Sequence, residues 1–140
     1  MSITYAEIKH RLTDFGFEED DVTEADYKRI FINALNHSGE IIYNVVMLEI
    51  EDYIRKVEEQ DDLEEPLRKI TKITEDTEDS ARIYIPEIVQ PLYPLLAAHY
   101  AWLDDDLTKA MIYWNEFDDL KDRIIATAKR ARKATIIGGW

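Results

Sequence analysis

Residues 88–103 read IVQPLYPLLAAHYAWL and contain no Asp, Glu, Lys or Arg. Charged residues make up 34% of the chain, so an uncharged run of this length marks an interior. The run is shorter than the roughly 18–20 residues of a bilayer span, and it holds Pro91, Pro94 and His99. It predicts a central helix, Leu95 to Leu103, packed on all sides in a soluble protein. Pro86 suits a helix start, while Pro91 and Pro94 suit a broken first turn or a restart. His99 reads as a hydrogen-bonded core or interface side chain.

The next residues are Asp104-Asp105-Asp106. Carboxylates at a joint between helices cap free N–H groups and favour the positive end of the dipole. A final helix is expected from about Asp106 to Arg132. Its buried stripe would be Leu107, Ala110, Met111, Trp114, Phe117, Ile124 and Ala128. Tyr100, Trp102, Tyr113, Trp114 and Phe117 fall at helical spacing, which favours packing between the last two helices over a ligand pocket. Leu96, Trp102, Met111, Trp114 and Phe117 are the core positions expected here.

Upstream, residues 67–86 change character. LRKITKIT and ARIYIP are rich in β-branched residues and flank the polar EDTEDS. They predict a β-hairpin or an extended arm. An isolated hairpin is marginal in water, so the arm should lean on the helices or on another subunit. Before it, Glu40 to Glu59 predicts a third helix, with Tyr43, Val46, Met47, Ile50, Tyr53, Ile54 and Val57 in phase. Ile41, Ile42, Val45 and Leu48 make its first turns apolar all round. Glu58 to Glu65 reads as an acidic loop ended by Pro66. A second helix would begin at Thr23 or Asp26 and carry Tyr27, Ile30, Phe31, Ala34 and Leu35 on one side. Asn36-His37-Ser38-Gly39 then reads as a stop and a new N-cap, or as a kink in one long helix. Thr4-x-x-Glu7 fits a capping box opening a short helix to about Leu12, and DFGFEEDDV follows as a polar turn. The fold class expected is all-α: a bundle of four to five helices with a hairpin or arm between the third helix and the last two.

With 140 residues, one domain over 1–132 is expected, with a flexible C-terminal docking tail over 133–140. The charge is segregated. Residues 121–140 hold Lys121, Arg123, Lys129, Arg130, Arg132 and Lys133 against Asp122 alone, a net of +5. The total is -13, so the first 120 residues carry -18. Such a body repels phosphates and does not bind nucleic acid over a broad surface. The ending KRARKATIIGGW, residues 129–140, is a separate feature. Glycines before Trp140 provide no packing, so a frayed end is the plain reading. The sharper one is an aromatic anchor, with Arg130, Arg132, Lys133, Ile136, Ile137 and Trp140 docking on a partner.

Motifs for chemistry are sparse. There is no Cys, and glycines at 16, 39, 138 and 139 form no P-loop. His10, His37 and His99 lack zinc-site spacing, and the Asp run lacks EF-hand spacing. Ser38 beside His37 is better explained as an N-cap than as a nucleophile. The sequence leads us to expect no catalytic residues, no cofactor and no metal. The start, MSITYAEIKHR, carries no apolar leader segment.

The stretch IPEIVQPLYPLLAAHYAWLDDDLTKAMIYWNEFDDLKDRI, preceded by KITKITEDTED, resembles small head–tail connector (adaptor) proteins of long-tailed bacteriophages. The likeness covers roughly residues 66–128 and lies in pattern and spacing. It implies a non-enzymatic virion protein of the neck, assembled in the host cytoplasm. Copies would form a ring, usually a dodecamer in that family. The ring would join the portal protein to a downstream neck or tail-completion protein. DNA would pass through its channel without specific binding, and no membrane is involved. On this resemblance the tail docks on the portal. The arm, with Ile70, Ile73, Ile83, Tyr84 and Ile85, reaches a neighbouring subunit. Two other classes compete: an acidic DNA mimic or other regulatory binder, motivated by the -18 body, and a small helical enzyme or ligand-binding protein using the aromatic cluster.

Overall fold

A computed structural model describes residues 2–17, 25–60 and 62–138, without the side chains of 25–27 and 132–138. The described chain is mostly helical, with one small two-stranded sheet. In order it contains β1 (Ser2–Thr4), α1 (Tyr5–Thr13), α2 (Ala25–Ile42), a π-helical turn (Tyr43–Met47) and α3 (Glu51–Val57). These are followed by β2 (Arg82–Tyr84), a 3-10 turn (Glu87–Val89), α4 (Leu92–Trp102) and α5 (Leu107–Gly138).

The middle of the bundle is α4, where Leu92 through His99 are all buried. Helices α5 and α2 cover it most extensively, and α1 also packs against it. Pro86 precedes the 3-10 turn and Pro91 precedes α4, so neither ring interrupts a helical hydrogen bond. At the α4–α5 joint, the N–H groups of Asp105 and Asp106 donate to the Trp102 carbonyl at 3.1 and 2.8 Å. The Asp106 carboxylate accepts from the Lys109 N–H at 3.0 Å and caps α5. His99 Nδ1 donates to the Ala110 carbonyl at 2.7 Å, bridging the two helices inside the core. The Thr4 hydroxyl accepts from the Glu7 N–H at 3.2 Å and caps α1 as expected.

Several expectations are corrected. There is no stop at residues 36–39, because α2 runs straight through them. Ser38 is not a cap; its buried hydroxyl donates to the Ala34 carbonyl one turn back, at 2.6 Å. The third helix is not continuous. Leu48 N–H donates to the Tyr43 carbonyl five residues back, and a turn over 48–50 separates α3. That wider turn keeps Val46, Met47, Ile50 and Ile54 buried but leaves Val45 and Leu48 exposed. DFGF is not simply a polar turn, since Phe17 is buried. Of the expected α5 stripe, Ala110, Phe117, Ile124 and Ala128 are buried and Trp114 is half-buried. Met111 is 42% exposed and Leu107 63%, so neither belongs to the core. The expected cap at Thr23 lies outside the described residues.

No hairpin forms within 67–86. Instead β2 pairs antiparallel with β1, matching Ser2 with Tyr84, Ile3 with Ile83 and Thr4 with Arg82. Residues 67–74 run extended beside this pair. Thr71 N–H donates to the Tyr84 carbonyl at 3.2 Å, and the Thr71 hydroxyl accepts from Tyr84 N–H at 2.8 Å. The Asn36 side chain then acts as a strand neighbour. It donates to the Ile73 carbonyl and accepts from the Ile73 N–H, both at 2.8 Å. The Thr71 N–H and both backbone groups of Ile73 are thereby satisfied by the chain itself.

Phe117 and Met111 separate core from surface. Phe117→Ala is expected to cost about 3–5 kcal/mol in urea denaturation, while Met111→Ala stays within about 0.5 kcal/mol. Equal losses would contradict this placement.

Candidate interaction surfaces

The aromatic region first considered as a pocket is occupied by the chain itself. Gly16, with φ +89°, turns the backbone back after α1. The Phe15 carbonyl then accepts two hydrogen bonds, from the Trp102 indole N–H at 3.0 Å and the Tyr113 hydroxyl at 2.9 Å. Phe17 stacks on Trp102 with centroids 4.7 Å apart and meets Phe31 edge-on at 4.9 Å. The Lys109 ammonium sits 4.3 Å from the Trp102 ring centroid. The polar groups of Trp102 and Tyr113 are therefore used in holding the 14–17 turn, which makes this part of the cluster a structural joint. His99, Tyr100, Trp114 and Phe117 continue it as a chain of ring contacts.

The expected inter-subunit arm is also folded inward. Ile73, Ile83, Tyr84 and Ile85 are buried in their own chain, and Ile70 is half-buried against α2. Arg68 lies over the Tyr84 ring at 4.1 Å. Most of these side chains are thus packed within their own chain, where β1 and α2 lie against the segment. Of the expected core residues, Leu96 and Phe117 are buried, and Trp102 and Trp114 are partly so. Of the tail residues, Arg130 is exposed on α5. The α5 backbone continues past Arg132 to Gly138, so no helix end marks the expected tail boundary. The side chains of Arg132, Lys133, Ile136 and Ile137, and the whole of Trp140, lie outside the described residues.

One organised feature escaped the sequence reading. Arg55, on α3, is buried, and its guanidinium reaches four acceptors. Nε donates to the Glu51 carboxylate at 2.6 Å. Nη1 donates to the carbonyls of Gln60 and Asp62 at 3.3 and 3.1 Å, and Nη2 to that of Glu65 at 2.8 Å. The Gln60 side chain staples the same loop, donating to the Pro66 carbonyl at 2.9 Å and accepting from Arg68 N–H at 3.3 Å. The acidic loop is therefore wound around a cation, with Asp62, Glu64 and Glu65 held outward and exposed. It forms an exposed anionic surface. The only local signal was Glu51 four residues before Arg55; the three carbonyls are set by the loop's path.

Two grooves remain. One, of about 500 Å³, lies between α2 and residues 69–72 and has Lys69, Lys72, Glu40 and Asn44 on its walls. A smaller one, of about 230 Å³, lies between α3, the 3-10 turn and α5. The buried hydroxyls of Tyr84 and Tyr93 have no hydrogen-bond partner among the described residues. Burial, and secondarily the charge of Tyr5, pushes the Tyr93 phenol well above its ordinary value. Among the described residues no group of three His, Cys, Asp or Glu is placed to hold a metal ion. No described helix is long and apolar enough to cross a membrane. No protein-family model, curated protein or solved structure matches this chain.

Arg55→Ala should cost about 1.5–3 kcal/mol, the scale of hydrogen bonds to a charged group, and speed hydrogen exchange in residues 58–66. Arg55→Lys should recover little of this, since an ammonium lacks the fork. Unchanged loop exchange would refute the winding. Tyr93→Phe removes an unpartnered hydroxyl whose burial costs roughly 1–3 kcal/mol, so it should be neutral or stabilising in thermal unfolding. Because the folded-state pKa is raised, the wild type loses stability as pH rises above about 10, where the unfolded phenol ionises. The Phe variant should lose less over that range.

Proposed function

We propose that the chain is a head–tail connector: a virion protein whose copies ring the DNA exit channel between the portal and the next neck or tail protein. The observation that carries the proposal is the sequence pattern over residues 66–128, a buried helix, an Asp-Asp-Asp joint and an aromatic-rich long helix. The geometry supports it in two respects. Helix α4 leads through an Asp106-capped joint into α5, whose later part concentrates the cations of residues 121–133 of an otherwise acidic chain. An acidic ring lets DNA slide without sticking, while a basic helix end is free to meet another protein. Since the 67–86 segment is folded inward, the contacts between copies fall elsewhere on the surface.

A second reading, an acidic regulator that mimics DNA, is favoured by the stiff loop around Arg55 and the -18 of residues 1–120. One experiment separates the two. The purified chain is mixed with DNA-filled, tailless heads of the phage that encodes it, then viewed by negative stain. The connector reading expects a ring added at the portal vertex. A chain that leaves the heads bare but displaces DNA from a DNA-binding protein would replace that reading with the mimic.

A further inference from the structure

We propose that the groove between α3, the 3-10 turn and α5 receives the C-terminal segment of a second copy of this chain. The contact joins copies directly and needs no portal, so it does not rest on the connector reading.

The groove is lined by Tyr53, Ile54 and Val57 from α3, by Pro86 and Ile88 around the 3-10 turn, and by Thr127 from α5. Its volume of about 230 Å³ is below the roughly 300–1,000 Å³ of small-molecule pockets, which suits one or two side chains of a protein. Val57 stays 43% exposed at its edge, an apolar surface without a cover. The charged residues lining it, Glu58 and Glu87, are both acidic.

Charge decides between the apolar segments that could fill it. Leu103, Leu107 and Met111 are exposed, but Asp104, Asp105 and Asp106 accompany them and would face Glu58 and Glu87. Ile136, Ile137 and Trp140 follow Arg130, Arg132 and Lys133, which carboxylates at the groove attract; Lys129 already pairs with Glu49 of its own chain. The chain's own segment cannot serve. Along α5, Gly138 lies 11 residues beyond Thr127, roughly 16 Å at 1.5 Å per residue. Trp140 is two residues further on, and those two span at most about 7 Å, too little to return. The groove of one copy and the helix end of another remain, a head-to-tail contact that closes into a ring or extends as a chain. A segment seated in this groove is unavailable to any other partner, so a protein that binds the segment must first release the neighbouring copy.

Two variants test this by complementation, with circular dichroism confirming that each is folded. Val57→Lys blocks the groove with a cation on an exposed helix position and keeps the segment; Glu87→Lys serves as a second groove variant. A chain lacking residues 136–140 keeps the groove and loses the segment. In sedimentation velocity the wild type is expected to associate with rising concentration and less so at high salt. Each variant alone should stay monomeric, and an equimolar mixture of the two kinds should form a one-to-one dimer and stop there. A wild type that remains monomeric, a truncated chain that associates like the wild type, or a mixture without heterodimer would each overturn the proposal.

Discussion

The fold answers to one constraint: α4 has no polar face. A helix buried on every side from Leu92 to His99 must be covered by other elements, and it cannot satisfy any polar side chain through solvent. Helices α2 and α5 supply most of the cover, and α1 and the 14–17 turn close the remainder. His99 meets the requirement by donating to the Ala110 carbonyl. Tyr93 does not meet it, and burial makes its phenol resist ionisation. Ala97, Ala98 and Ala110, all fully buried, keep the helices around α4 close enough for that histidine bridge.

What could be read from residues alone was local. The Thr4 and Asp106 caps, the proline-marked start of α4, and the buried Ala110, Phe117, Ile124 and Ala128 all depend on spacings of three or four positions. What could not be read depends on distant partners. Phe15 meets Trp102 and Tyr113 across 87 and 98 positions, and Asn36 meets Ile73 across 37. Strand β2 was expected to pair within its own hairpin and pairs instead with residues 2–4. The misjudged exposure of Val45 and Leu48 has a different cause. A single π turn breaks the 3.6-residue period on which the reading relied. Of the candidate surfaces, charge segregation was legible from composition, whereas Arg55's role was not, because main-chain carbonyls leave no mark in a sequence.

Polar groups in this molecule repeatedly serve the backbone instead of a ligand. The indole of Trp102, the hydroxyl of Tyr113, the amides of Asn36 and Gln60 and the guanidinium of Arg55 all bind main-chain atoms. Those bonds stiffen loops that composition alone would leave loose. They also use up the side chains best suited to recognising a small molecule, which shifts recognition toward surfaces shaped by charge and exposed apolar residues.

The pairing of β1 with β2 has a consequence for the order of synthesis. Residues 2–4 are made well before their partner strand at 82–84, and the helix that α1 packs on ends only at Trp102. At about 5–20 residues per second, α1 spends roughly 5–20 s without its core. During that interval Tyr5, Ile8 and Leu12, later fully buried, have no core to enter. This part of the fold is thus made long before it can be protected.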